Sequence, residues 1–165
     1  MKRWVLLLAL LSSTAIADTR QFLLGETALD LRAEARACYL GFIKLYEVDY
    51  YAGPDASRCV QLSYLRGFSE EALDEATRKV FEQRHGPDVS ARYSADLARI
   101  GGAYRAVEPG DRYAYCVAPE AGGLLLRDGV AVARLEEPGL AERFLQIWVT
   151  SDQPDEGPTW GFGEC

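Results

Sequence analysis

Two periodicities run through this chain, and the order in which they alternate sets the architecture. From Cys38 to Tyr51 the residues are aromatic and branched, as they are again from Cys59 to Leu65. Between the two runs lies Ala52-Gly53-Pro54-Asp55-Ala56-Ser57, a cluster of turn formers. This pattern predicts a long β-hairpin. Alternation places Phe42, Lys44, Tyr46, Val48 and Tyr50 on the more apolar face of its first strand, with Ile43, Leu45, Glu47, Asp49 and Tyr51 on the other. The period then changes. Ser69 is an N-cap, Glu70 and Glu71 put negative charge in a first turn, and Leu73, Ala76, Val80 and Phe81 form a helical stripe that stops near His85-Gly86-Pro87. A second helical series runs through Val89, Tyr93, Leu97, Ile100, Tyr104 and Val107, with Gly101-Gly102 as a weak point inside it. Its aromatic members follow the packing stripe and are read as core.

Strand signals return at Arg112 to Ala118, Gly123 to Arg127 and Val130 to Leu135, the last two joined by the hairpin dipeptide Asp128-Gly129. Pro138 opens a final helix whose apolar face carries Leu140, Phe144, Ile147 and Trp148. From Ser151 the chain is rich in Pro and Gly and reads as an extended tail, residues 151–165, held at its end by Cys165. The order strand, strand, helix, helix, three strands, helix implies an α+β fold, an antiparallel β-sheet covered by helices on one face.

The N-terminus follows different rules. Met1-Lys2-Arg3, an apolar run from Trp4 to Leu11 and Ala15-Ile16-Ala17 are the three regions of a secretory signal peptide, so residues 1–17 are expected to be removed and residues 18–150 to form one domain. The destination is then periplasmic or secreted. Of 165 residues, 148 would remain, and with two of 18 basic residues gone the mature net charge is −9 against 25 acidic ones. Such acidity argues against nucleic acid or an anionic membrane surface as partner.

Four cysteines in an exported chain suggest two disulfides. No C-x-x-C spacing occurs and His85 is the sole histidine, so no metal site, redox motif or cofactor is expected. His85 is placed at a helix end, where a cation suits the terminal carbonyls. At about 3.3 Å per residue the predicted hairpin sets Cys38 roughly 40 Å from Cys59, against a limit of about 7 Å for bridged Cα atoms. In an up-and-down sheet Cys59 and Cys116 fall at one end, leaving Cys38 for Cys165.

Four stretches resemble the chalcone isomerase-like proteins, in particular their short exported bacterial branch. They are Gly41-Phe42-Ile43-Lys44-Leu45-Tyr46 with Tyr50-Tyr51; Val60 to Arg66 with Ser69-Glu70-Glu71-Ala72-Leu73; Val107 with Gly110-Asp111-Arg112-Tyr113; and Asp128-Gly129 with Glu137-Pro138 and Phe144 to Trp148. The resemblance implies an open-faced sandwich with a ligand cleft between sheet and helices. For the family's catalytic arginine, threonine and helix tyrosine and lysine or asparagine, it offers Arg36 at a shifted position, Tyr46 in place of the threonine, and only Ser69, Glu70, Ala72 and Leu73 on the helix. The groups that orient a phenolate nucleophile are therefore largely missing. Non-enzymatic relatives in the wider family bind fatty acids. The expectation is accordingly a non-catalytic protein binding a small apolar or amphipathic anion, with Arg36, Lys44 and Tyr46 as ligand-binding candidates. An altered isomerase and an envelope interaction protein are the alternatives.

Overall fold

The computed structural model describes residues 20–119, 121–153 and 156–165. The predicted leader and its cleavage site lie outside them. Seven strands form one antiparallel sheet in strict chain order: β1 (Gln21–Leu24), β2 (Thr27–Tyr39), β3 (Ile43–Ala52), β4 (Arg58–Tyr64), β5 (Arg112–Ala118), β6 (Gly122–Arg127) and β7 (Val130–Leu135). Helices α1 (Glu70–His85), α2 (Pro87–Arg92) and α3 (Ser94–Gly101) connect β4 to β5, and α4 (Pro138–Leu145) follows β7. The expected α+β fold is present.

Inward-facing residues of β3 to β6, among them Val48, Tyr50, Val60, Leu62, Tyr113, Tyr115 and Leu125, meet Leu73 and Phe81 of α1, Leu97 and Ile100 of α3, and Leu140 and Phe144 of α4 in the main core. A second, smaller core lies on the opposite face. There Leu29 packs with Tyr51, Leu126 and the Cys59–Cys116 disulfide under Phe22 and Leu24. Cys59 and Cys116 are directly paired across β4 and β5 with Cα atoms 4.1 Å apart.

Three expectations change. The run from Cys38 to Tyr51 is two strands, because Leu40 and Gly41 both take positive φ and reverse the chain between β2 and β3. Cys38 thus sits opposite Lys44, seven residues along β3 from Tyr51, the partner of Cys59. The separation is about 23 Å at 3.3 Å per residue, still far beyond bridging distance. Second, the helical series 89–107 breaks at Tyr93, whose φ −101° and ψ 17° leave the helical well, and ends at Gly101. Third, the tail contains a hairpin, β8 (Val149–Gln153) with β9 (Gly157–Trp160).

The tail then runs to the edge of β2. Cys38 donates its N–H to the Gly163 carbonyl, Ala37 bridges Glu164, and a disulfide joins Cys38 to Cys165. The end of β2 around Arg36 to Cys38 is thereby covered instead of presenting free backbone donors and acceptors. Tyr50 adds a tie at the other end of the hairpin, donating to Asp152 at 2.6 Å.

Candidate functional site: an apolar cavity between sheet and helix

Helix α1 begins where the sequence reading puts it, with Ser69 Oγ accepting the Ala72 N–H. Its side toward the sheet carries short side chains, Ala72, Ala76 and Thr77, ahead of the larger Val80 and Phe81. Facing it, β3, β4 and β5 present tyrosines. Short residues on the helix and stiff rings on the sheet cannot close on one another, and a cavity of about 250 Å³ remains. Tyr46, Val60, Leu62, Tyr64, Tyr113, Tyr115 and Leu125 form its floor; Ala72, Leu73, Ala76, Thr77 and Val80 its roof; Phe68, Tyr104, Ile147 and Trp148 its ends. Ala72 and Ala76 are exposed and mark the rim.

The polar atoms of this cavity are nearly all phenols, and three are already engaged. Tyr104 shares a hydrogen bond of 3.0 Å with Thr77, Tyr113 accepts the Arg105 N–H at 2.9 Å, and Tyr115 donates to the Ala141 carbonyl at 3.1 Å. Tyr64 differs. Its ring is 5% exposed and held edge-on by Tyr46, Phe68 and Tyr113, yet its hydroxyl has no hydrogen-bond partner among the described residues. Burial raises the Tyr64 pKa well above that of a free phenol, and the neighbouring tyrosines, Tyr104 foremost, add to the effect. Burial likewise lifts Tyr46 to about 12, with the Trp148 indole acting in the other direction. Both remain neutral hydroxyls at physiological pH, suited to donating a hydrogen bond and unsuited to acting as bases. Among the described residues no Lys, Arg, His, Asp or Glu lines the cavity.

Of the three residues proposed from sequence, only Tyr46 reaches the cavity. Arg36 pairs with Glu47 across β2 and β3 at 2.6 Å, outside the cavity wall. Lys44 was expected on the apolar face beside Tyr46, but the register from Ala37–Tyr46 to Cys38–Lys44 skips Leu45. This β-bulge brings Leu45 and Tyr46 together at the cavity and breaks the alternation beyond it. Lys44 is left exposed, in an open groove with Ile43, Leu65, Arg66, Gly67 and Pro109. Leu45 and Phe68 line both this groove and the cavity. Arg66 is fixed there by a hydrogen bond from Nε to the Lys44 carbonyl, 3.0 Å. Neither cation makes an ion pair among the described residues.

Sequence reasoning missed Tyr64, Arg66, Tyr113, Tyr115 and Trp148 as site residues. The available signal was phase: Tyr64 follows Val60 and Leu62 at intervals of two, so a phenol was bound to enter the core face. His85, at the end of α1, donates from Nε2 to the Arg143 carbonyl at 2.8 Å and does not line the cavity.

Among solved structures, the fold is matched by a fatty-acid binding protein of Arabidopsis thaliana, with a TM-score of 0.60 over 78% of this chain and 82% of that one. The fold is a chalcone isomerase-like open-faced sandwich. Sequence identity in the match is 12%, so the likeness is one of fold. No family model and no curated protein matches the sequence.

Proposed function

We propose that this chain is an exported, non-catalytic protein that binds a fatty-acid-like anion, with the apolar chain in the sheet–helix cavity and the head group at the Lys44–Arg66 groove. The Tyr64 hydroxyl, which faces the cavity without a hydrogen-bond partner among the described residues, carries the reading. A ligand oxygen that accepts from this hydroxyl gains a net hydrogen bond worth about 0.5–1.5 kcal/mol. A bare carboxylate inside would instead be expensive, since the walls supply no cation. The head group therefore belongs outside, where Lys44 and Arg66 stand next to Leu45 and Phe68. Arg36 has no part in this arrangement because Glu47 already neutralises it.

The volume limits the ligand. At 250 Å³ the cavity is slightly smaller than the roughly 300–1,000 Å³ of typical small-molecule sites, which favours short or medium chains. The match to a plant fatty-acid binding protein supports the same class of ligand. Two disulfides, and the lack of any described helix long and apolar enough to cross a membrane, are compatible with export.

Titration of delipidated protein with fluorescent fatty acids of graded length tests the reading. Saturable binding that weakens as the chain outgrows the cavity is expected, together with loss of binding in Ala76→Trp, which blocks the rim. Saturable binding left intact by Ala76→Trp would move the ligand elsewhere, and turnover of a chalcone would overturn the non-catalytic assignment.

A further inference from the structure

The turn between β2 and β3 exposes three large apolar residues in sequence: Tyr39 at 59%, Leu40 at 68% and Phe42 at 71%. Leu65 is exposed beside them, at the end of β4. Turn chemistry does not call for this composition. Leu40 and Gly41 have φ of 54° and 76°, a left-handed pair where Asn, Asp or Gly is the unstrained choice. A leucine there is both strained and hydrated. Lys44 and Arg66 flank the same turn without ion-pair partners among the described residues, in a protein whose overall charge is negative. The groove they line adjoins the cavity, with Leu45 and Phe68 lining both.

We infer that this tip is a docking surface for a phospholipid bilayer: Leu40 and Phe42 enter the head-group region, Lys44 and Arg66 meet lipid phosphates, and the groove passes an acyl chain between bilayer and cavity. The inference rests on the proposed binding of an acyl chain and shares Lys44 and Arg66 with it, whereas the exposed Leu40 and Phe42 lie outside both cavity and groove. A net acidic protein is held away from anionic lipid by its remaining surface, so contact must be confined to a small apolar point with local positive charge. The tip has that composition. Amphipathic elements of this kind bind through buried apolar area plus attraction of adjacent cations to lipid head groups.

The test uses the mature chain with vesicles of phosphatidylcholine and phosphatidylglycerol, and the double variant Leu40→Asn/Phe42→Ser. Asparagine relieves the left-handed strain at position 40, and neither residue belongs to the cavity or the head-group groove. Wild type is expected to float with the vesicles and to take up a fluorescent fatty acid from them at a rate that rises with vesicle concentration. Partial burial of one large side chain is worth about tenfold in affinity, so the double variant should bind vesicles about 100-fold more weakly and lose the concentration dependence. Its affinity for the same fatty acid in solution should not change. Omitting phosphatidylglycerol should weaken wild-type binding about fivefold per cation engaged. Absence of vesicle binding in wild type, or equal binding by the variant, would overturn the inference. So would a wild-type dimer in sedimentation that the variant abolishes, since the tip would then be covered by a second copy. Vesicle binding without any fatty-acid binding in solution would retain the docking surface and refute the proposed ligand instead.

Discussion

Replacing Tyr64 by Phe should make the empty protein more stable and the ligand bind less well. The substitution removes one oxygen and leaves the ring contacts with Tyr46, Phe68 and Tyr113 in place. Ordinarily, deleting the hydroxyl of a buried tyrosine forfeits a hydrogen bond. Here none is made within the described residues, so the deletion removes only the partial desolvation of a hydroxyl that faces an apolar cavity. That cost is at most about 1 kcal/mol, the lower end for an unsatisfied buried group, because the oxygen keeps access to a cavity of 250 Å³ with space for water. A gain near 1 kcal/mol raises the melting temperature by about 2–4 °C in a chain of this size. In the complex the balance reverses, and loss of a neutral hydrogen bond should weaken binding by about 0.5–1.5 kcal/mol. Calorimetric melting and urea midpoints of delipidated protein measure the first quantity, and fatty-acid titration the second. A Tyr64→Phe protein destabilised by 1 kcal/mol or more when empty would show that the hydroxyl has a partner in the fold and refute the argument.

Other consequences can be checked independently. Lys44→Met should weaken fatty-acid binding by only about 0.2–1 kcal/mol, as for an exposed ion pair, with the effect fading at high salt. A loss above 2 kcal/mol in the titration would mean that Lys44 is desolvated in the complex. Replacing both Cys59 and Cys116 by Ala should cost about 2–4 kcal/mol of stability in urea unfolding, and an unchanged midpoint would count against their staple role. Folded Tyr46 and Tyr51 ionise only at about 12, and Tyr64 and Tyr115 are also raised, all chiefly by burial. Because a raised pKa contributes stability that is full below the unfolded value near 10 and is lost as pH rises toward the folded one, stability should fall above about pH 10. The phenolate signals of these four tyrosines should then appear together with unfolding; their ionisation near pH 10 in a folded chain would contradict it. His85 works in the other direction: burial lowers its pKa, so its contribution is present above about 6.5 and declines as pH falls toward the folded value. The decline should disappear in His85→Gln.

Much of the fold was legible because its strands and helices obey their periods. Ser69, Asp128-Gly129 and Pro138 all act as the punctuation that their chemistry predicts, with positive φ at both Asp128 and Gly129. The first two strands were hidden for a physical reason. Leu29-Asp30-Leu31 and Ala33-Glu34-Ala35-Arg36-Ala37 alternate faithfully, but alanine and charged residues have weak strand preference, and tertiary pairing with β3 decides the matter. The turn at Leu40 was equally opaque, since leucine is a poor indicator of a left-handed backbone. In the site, Tyr46 could be placed from alternation alone. Lys44 could not, because nothing in a sequence announces that Leu45 will bulge. Whether a row of small residues on α1 and large rings on β4 and β5 closes or leaves a void is likewise a matter of three-dimensional fit.

The bond between Cys38 and Cys165 gives the molecule a topology that its linear sequence does not have. It joins residues 127 apart, so nearly everything from β3 onward, including the cavity and its roof, lies within one covalent ring. The hairpin of β1 and most of β2 lies outside that ring, attached along β3 and by the small core around Leu29. Such an appendage is free to open as a local unit without disturbing what the ring encloses. Amide exchange in residues 21–30 should therefore be faster than in the cavity walls, and reduction of this one crosslink would loosen what the ring encloses.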